Sequence, residues 1–221
     1  MNHICKKIVY TILLIIISGS CFGQVKEIKI TFIGNAGFHM TDGNTEIYFD
    51  FPYKSGAYGY MTYPETELNK FKDSSIFIFT HKHADHYSKK LVKKLKGKVY
   101  DGRNRNKISK LDNEIPNFKI TSYKTKHRFS FKHYSYAIEW HGKILFISGD
   151  TEHPETIGLI TGIDYAFIPT WILFYAKEKN INVDAKIKVL YHLYPNEQVE
   201  VKTPTDFIIF DKQGMKISIP Y

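Results

Sequence analysis

Residues 77–90, FIFTHKHADHYSKK, join an apolar run directly to four side chains that can bind metal ions. A short apolar run predicts a buried strand, so the loop that leaves this strand carries the candidate ligands. These ligands are His81, His83, Asp85 and His86. The metal-binding chemistry of this loop constrains the fold more strongly than any other feature of the chain.

In extended chain, alternate side chains share a side, so His81, His83 and Asp85 can converge while His86 points elsewhere. Two ligand sets aimed in different directions suit two adjacent metal ions. Imidazole and carboxylate ligands without thiolate favour Zn²⁺, with Mn²⁺ and Fe as the other candidates. The alternative is a His-rich surface loop that binds metal loosely. The buried strand before the cluster and further ligands downstream argue against it.

The first 23 residues are typical of a secretory signal peptide. A basic start and an apolar run over residues 8–17 precede small residues, and the run is short for a stable membrane span. Cleavage after Gly23 would leave residues 24–221 as one exported domain, periplasmic or secreted. The competing interpretation is a lipoprotein acylated at Cys21. Because Cys5 also lies in the leader, the exported domain has no internal disulfide and little thiolate to offer a metal.

The net charge is +9, and removing the leader leaves +7, because 29 basic residues then face 22 acidic ones. This balance favours anionic partners, and we expect a small anionic substrate. Lysines recur between residues 89 and 98, interleaved with leucine and valine. That spacing predicts the solvated face of an amphipathic helix, so we expect no nucleic-acid partner.

The remaining pattern predicts many short strands. Residues 27–40 are typical of two strands joined by a Gly-Asn turn, and residues 117–148 of successive antiparallel strands. Residues 164–169 and 186–192 form apolar strands in this interpretation, with an irregular segment between them. Strands dominate each half of the chain and helices interrupt them. The predicted fold class is therefore α/β (α+β), with two packed sheets and helices outside.

The segment HKHADH matches the H-x-H-x-D-H signature of the metallo-β-lactamase superfamily, and the chain resembles this family from about residue 26 to its end. Three downstream segments follow in the family's order: YKTKH ends at His127, ILFISGDT contains Asp150, and VLYHLYP contains His192. Upstream, FIGNAGF followed by IYFDF resembles the family's first hairpin. The resemblance implies an αββα four-layer sandwich with the site at the sheet edges.

The resemblance also implies two metal ions held by seven side chains. The implied ligands are His81, His83 and His127 for the first ion, Asp85, His86 and His192 for the second, and Asp150 as the bridge. His133 competes with His127, and the position of His127 at a strand end favours it. Asp50 and Thr80 are candidates to hydrogen-bond the ligands from behind.

Within the superfamily, the arrangement resembles the branch of L-ascorbate-6-phosphate lactonase and N-acylphosphatidylethanolamine phospholipase D, although Asn35 stands where that branch usually has a His. The implied function is an exported dinuclear metal-dependent hydrolase. A metal-bound hydroxide would attack an ester, lactone or phosphoester, and Asp85 or Asp150 would accept the water proton. The alternatives are a non-catalytic metal-binding protein on the same scaffold and a β-lactamase. Residues 52–64 and 171–179 are expected to wall the cavity above the metals.

Overall fold

The structure is a computed structural model that describes residues 25–199 and 204–221. The signal peptide predicted for residues 1–23, and Cys21 within it, lie outside the described residues. No helix in the described part of the chain has the length and apolar character needed to cross a membrane.

The first sheet comes mainly from the N-terminal half of the chain. Its strands are β1 Glu27–Gly34, β2 Gly37–Thr41, β3 Glu46–Phe49, β4 Ile76–Ile78, β5 Lys98–Tyr100 and the C-terminal β12 Lys216–Pro220. Their order across the sheet is β12-β1-β2-β3-β4-β5. From β12 to β3 neighbours pair antiparallel, whereas β3, β4 and β5 are parallel.

The second sheet comes from the C-terminal half. Its strands are β6 Phe118–His127, β7 Ser130–Trp140, β8 Lys143–Ile147, β9 Ile163–Pro169, β10 Ala185–Tyr191 and β11 Phe207–Ile209. They are ordered β11-β10-β9-β8-β7-β6. The hairpins β6–β7 and β7–β8 are antiparallel, and β8 to β11 are parallel.

The two sheets pack face to face, and helices cover the outer face of each sheet. The α-helices are α1 Lys89–Val92, α2 Leu111–Glu114, α3 Glu155–Gly158 and α4 Thr170–Glu178. One cluster of buried apolar side chains, including Phe38 and Trp140, draws on both sheets. A second cluster joins Phe77 of the first sheet to Val92 of α1, and a third joins Phe146 of the second sheet to Ile172 of α4. Three apolar layers between four layers of structure confirm the predicted αββα sandwich.

Two local predictions were wrong. Residues 170–178, interpreted as irregular, form α4, whose buried Ile172 and Ala176 lie one turn apart against the second sheet. Tertiary burial stabilises this helix although its aromatic and β-branched residues have modest helix propensity. The lysine-rich segment forms a helix only over Lys89–Val92, because β5 begins at Lys98 and draws the chain into the first sheet.

Candidate metal centre

The predicted ligands come together at one edge of the sandwich. The carboxyl ends of β4, β8 and β10 lead to residues 81–86, Asp150 and His192, and β6 ends at His127. β8 and β10 flank β9 in one parallel array, so their carboxyl ends meet at the same edge of the sheet. Residues far apart in sequence therefore surround one point.

Three histidines form the first group. The ring nitrogens of His81, His83 and His127 that could bind a metal all lie within 4.8 Å of one another. His127 Nε2 is 3.2 Å from His83 Nδ1. The other nitrogen of His127 is 3.1 Å from a Glu152 carboxylate oxygen. This outer contact orients the His127 ring so that its Nε2 faces the centre of the group.

Two carboxylates and two histidines form the second group. Potential ligand atoms of Asp85, His86, Asp150 and His192 lie within 4.8 Å of one another, and all four residues are buried. Asp150 Oδ2 is 2.9 Å from His86 Nε2 and 3.1 Å from His192 Nε2. The two Nε2 atoms are themselves 3.0 Å apart, and Asp85 Oδ2 is 3.3 Å from His192 Nε2. Asp150 Oδ2 also lies 4.0 Å from His81 Nε2, so it stands between the two groups.

The donor set fits divalent metal ions. Two ligand atoms at about 2.0–2.1 Å from one tetrahedral Zn²⁺ lie about 3.3 Å apart, close to the spacings found here. Within the described residues, four buried atoms of the two groups have no hydrogen-bond partner: His81 Nε2, Asp85 Oδ1, Asp150 Oδ1 and His192 Nδ1. Each such atom costs about 1–3 kcal/mol. A bound cation would compensate the cost for atoms that face it.

Asp50 supports both groups from behind. Its Oδ1 accepts the Thr80 amide at 2.7 Å, and its Oδ2 accepts the Thr80 hydroxyl at 2.7 Å. The same Oδ2 is 2.9 Å from His86 Nδ1, and Thr80 Oγ1 is 3.1 Å from His81 Nδ1. Because the Thr80 hydroxyl donates to Asp50, its oxygen accepts from His81. Both histidines then carry their proton on Nδ1, which leaves Nε2 for a metal.

The carboxylates also set the charge of the histidines in the metal-free protein. Burial alone would lower the pKa of His192, but the Asp150 carboxylate raises it to about 9. Asp150 and Asp50 likewise outweigh burial and raise the pKa of His86 well above its usual value. By contrast, burial and the neighbouring His86 lower the pKa of His81 well below its usual value. The second group therefore holds protons that a metal ion must displace.

Comparison with protein families identifies the chain. Residues 29–196 match the model of a family described as the beta-lactamase superfamily domain. The chain belongs to the beta-lactamase superfamily. Comparison with functionally curated proteins gave no match.

Solved structures support the superfamily fold. A protein from Parabacteroides distasonis is 21% identical with a TM-score of 0.60, over 86% of this chain and 99% of that one. Igni18, a metallo hydrolase of the archaeon Ignicoccus hospitalis, is 16% identical with a TM-score of 0.61, over 88% and 99%. YhfI of Bacillus subtilis, a metallo-beta-lactamase fold protein, is 16% identical with a TM-score of 0.55, over 87% and 99%. At these identities the likeness concerns the fold alone.

His127 and His133 are the two candidates for the third ligand beside His81 and His83, and the structure places them differently. His127 lies with His81 and His83, whereas His133 joins neither group. His133 Nε2 instead accepts the Asp150 amide at 3.0 Å, and its Nδ1 is 2.7 Å from the Thr125 hydroxyl. His133 therefore positions the backbone of the loop that presents Asp150.

This loop tolerates only glycine next to Asp150. Gly149 has φ +60°, and a Cβ at this position would lie 2.8 Å from His133 Nε2 and from Thr80 Cβ. A side chain here would push apart the strand ends that carry the two groups.

Asn35 is a structural part of the site, a role that the sequence comparison did not predict. It is fully buried with φ 52°, a left-handed conformation that Asn tolerates well. Its side-chain oxygen accepts the Met61 amide at 2.8 Å, and its side-chain amide is 3.4 Å from the Asp85 carbonyl oxygen. Its own carbonyl accepts the His192 amide at 3.0 Å. Asn35 therefore links the loop that carries Asp85 to the chain segment that carries His192.

A cavity of about 650 Å³ opens above the two groups. His83, Asp85, His127, Asp150 and His192 reach its surface. The expected segments 52–64 and 171–179 wall it, together with the β6–β7 turn. Its aromatic lining comprises Tyr58, Tyr60, Phe129, Trp171, Tyr175 and Tyr194. A larger cavity of about 920 Å³ near Asp42 and His141 contains none of the predicted ligands.

Proposed function

We propose that this protein is a metal-dependent hydrolase that binds two divalent metal ions, with Zn²⁺ as the preferred ion. The observation that carries the proposal is the pair of adjacent ligand groups on the floor of one cavity, with Asp150 Oδ2 between them. Nitrogen and oxygen donors without thiolate suit zinc. Membership of the superfamily supports the same class of chemistry.

In this proposal the ligands divide as the family pattern implies. His81, His83 and His127 hold one ion. Asp85, His86 and His192 hold the other, and Asp150 contributes to both. When bound, such ions act as Lewis acids and lower the pKa of a coordinated water to about 7.

The chain's own side chains supply proton transfer and orientation. Asp85 and Asp150 line the cavity, and each has an Oδ1 atom free of protein hydrogen bonds within the described residues. Either carboxylate can accept the proton of an attacking water. Burial, together with Tyr194 and the nearby Asp150, raises the pKa of Tyr60. The Tyr60 hydroxyl therefore stays protonated and can donate to an oxygen of the substrate.

The substrate that fits is a small ester, lactone or phosphoester with an apolar portion. The aromatic walls provide planar apolar surface, and the cavity volume is in the range of small-molecule sites. The finer resemblance to the lactonase and phospholipase D branch stays a prediction, and the buried Asn35 departs from that branch. Export through residues 1–23, or anchoring through Cys21, is proposed from the sequence pattern of the leader.

The test measures metal content and turnover on one preparation. The purified protein should contain two equivalents of metal and hydrolyse at least one member of a panel of esters, lactones, phosphodiesters and β-lactams. Asp150→Ala should lose both metal and activity, while Asp184→Ala, which changes an exposed carboxylate, should keep both. Two bound metals without any turnover would contradict the enzymatic proposal and favour the metal-binding alternative. A β-lactam as the single substrate would identify a β-lactamase.

A further inference from the structure

A second cavity, of about 630 Å³, adjoins the cavity above the metal centre. The two cavities share Tyr58 and His83 in their linings. The second cavity is also lined by four lysines, Lys54, Lys82, Lys89 and Lys90. We call this cavity the lysine annex.

The side chains that line the two cavities differ in charge. Among the residues that the structure describes, the cavity above the metal centre is lined by Asp85, Asp150 and Glu152 and by no lysine or arginine. The lysine annex, within the same described ranges, is lined by no aspartate or glutamate. The ammonium groups of the annex would attract an anionic group of a substrate, and no carboxylate among the annex lining residues opposes this attraction.

Three lysines of the annex are free to bind an anion. Lys82 is paired with Asp101 at 2.9 Å and lies over the Tyr87 ring. Lys54, Lys89 and Lys90 make no salt bridge with any acid in the described part of the chain. In the same run, Lys96 meets Asp73 and Lys98 meets Glu114. Lys93 and Lys94 make no salt bridge in the described part of the chain either, but they do not line the annex.

The backbone holds these lysines together. The Lys54 amide donates to the Ala84 carbonyl at 2.7 Å, and the Ser88 amide donates to the Pro52 carbonyl at 2.8 Å. These bonds join the loop that carries Lys54 to the segment that carries Lys89 and Lys90. The cluster therefore results from the fold of two loops next to the proposed ligand His83.

Tyr58 stands at the border between the two cavities. It is 67% exposed and has φ 55° and ψ 21°, a left-handed conformation that is costly for a tyrosine. Residues held in sparsely populated backbone conformations cluster at active sites and ligand-binding positions. A substrate that passes Tyr58 would reach both the metal centre and the lysine annex.

We propose that the lysine annex binds an anionic oxygen group of the substrate, a carboxylate or a phosphate, while the scissile bond lies at the metal centre. This inference rests on the proposed hydrolase function and adds the substrate class. The substrate is then an ester or lactone with an apolar portion against the aromatic walls and a remote oxyanion held by Lys54, Lys89 and Lys90.

The test compares esters that differ only at their far end. The probes are 4-nitrophenyl hexanoate, the mono-4-nitrophenyl ester of adipic acid, and the 4-nitrophenyl ester of 6-phosphooxyhexanoic acid. The test variant is K54Q/K89Q/K90Q. The matched control is K93Q/K94Q/K96Q, which removes the same charge from exposed lysines that do not line the annex.

The annex variant should lower kcat/KM for at least one anionic ester about tenfold relative to the hexanoate ester, through KM, as expected for three partly exposed ion pairs. The control variant should not change this ratio, and 0.5 M NaCl should reduce the effect. A change below twofold for both anionic esters, or an equal loss in the control variant, would overturn the proposal.

A binding measurement separates this proposal from the hydrolase proposal. Calorimetry with adipate and with 6-phosphooxyhexanoate, on metal-loaded protein, should show at least fivefold weaker binding of one of them to the annex variant than to the control variant. If no ester is hydrolysed but this difference appears, the ester hydrolase proposal fails and the annex proposal holds. If hydrolysis occurs but neither ligand shows the difference, the annex proposal is wrong.

Discussion

Replacing Asp50 with asparagine should weaken metal binding at both groups at once. Asp50 Oδ2 accepts from His86 Nδ1 and from the Thr80 hydroxyl, and Thr80 in turn accepts from His81 Nδ1. One carboxylate therefore fixes the tautomer of one histidine in each group. Asparagine keeps the shape of the side chain but replaces one acceptor with a donor.

Both orientations of the introduced asparagine amide are unfavourable. With its NH₂ group at the former Oδ2 position, it donates to His86 Nδ1 and to Thr80 Oγ1. Both histidines then carry their proton on Nε2, where the metal should bind. With its NH₂ group at the former Oδ1 position, it meets the Thr80 amide, donor against donor, in place of a 2.7 Å hydrogen bond. That orientation leaves a buried donor unpaired and costs about 1–3 kcal/mol.

The expected loss of metal affinity can be taken from the usual contribution of hydrogen bonds behind ligating histidines. Loss of a hydrogen bond behind a ligating histidine typically weakens metal affinity about 10–100-fold, or about 1.4–2.8 kcal/mol. Chelator competition on the folded protein measures this affinity. Nitrogen NMR of the metal-free protein should show the proton of the neutral His81 ring moving from Nδ1 to Nε2.

Asp42→Asn is the matched control for this substitution. Asp42 Oδ2 is 3.0 Å from His141 Nε2, and Asp42 Oδ1 accepts the amides of Asn44 and Thr45. This second aspartate–histidine pair lies away from the metal centre. Asp42→Asn should change stability but leave metal affinity unchanged. If Asp50→Asn folds and keeps metal affinity within twofold of the parent protein, the tautomer argument is refuted.

Three further predictions concern the same centre. Asp150→Ala should reduce metal content at both groups and abolish hydrolysis, and metal analysis showing a loss at one group alone would exclude a shared role for Asp150. His127→Ala should remove one equivalent of metal. His133→Gln should keep two equivalents but lower the melting temperature, because His133 accepts a hydrogen bond from the buried Asp150 amide. If metal analysis shows the reverse pattern, the roles assigned to His127 and His133 must be exchanged. Because the pKa of metal-free His192 is about 9, its proton competes with metal below that pH. Metal affinity should therefore rise between pH 6 and pH 9, and a flat profile in chelator competition across this range would contradict the assigned proton.

The local part of the site could be predicted from the sequence. His81, His83, Asp85 and His86 follow a buried strand within six residues, so their proximity needs no knowledge of the sheet. The strand pattern also predicted two sheets, since alternation along segments such as β1 survives in the fold. Ile28, Ile30 and Phe32 lie in the central core there, and Ile33 lies in an outer cluster.

Helix α4 and the division of the lysine run could not be predicted in this way. Both depend on packing against strands that come from other parts of the chain. Residues 170–178 form a helix because Ile172 and Ala176 find apolar partners on the second sheet. Lys89 and Lys90 differ from Lys96 and Lys98 because only the first two lie beside Lys54.

The sequence by itself determined the chemistry of this protein: a nitrogen and oxygen donor set without thiolate, placed after strands. Only the tertiary structure decided which donors meet. His127 joins His81 while His133, six residues later, bonds the Asp150 amide, and Asn35 ties the Asp85 loop to His192. The physical reason is that side-chain type is a local property of the chain. The order and direction of strands in two packed sheets set the distance between residues that are remote in sequence.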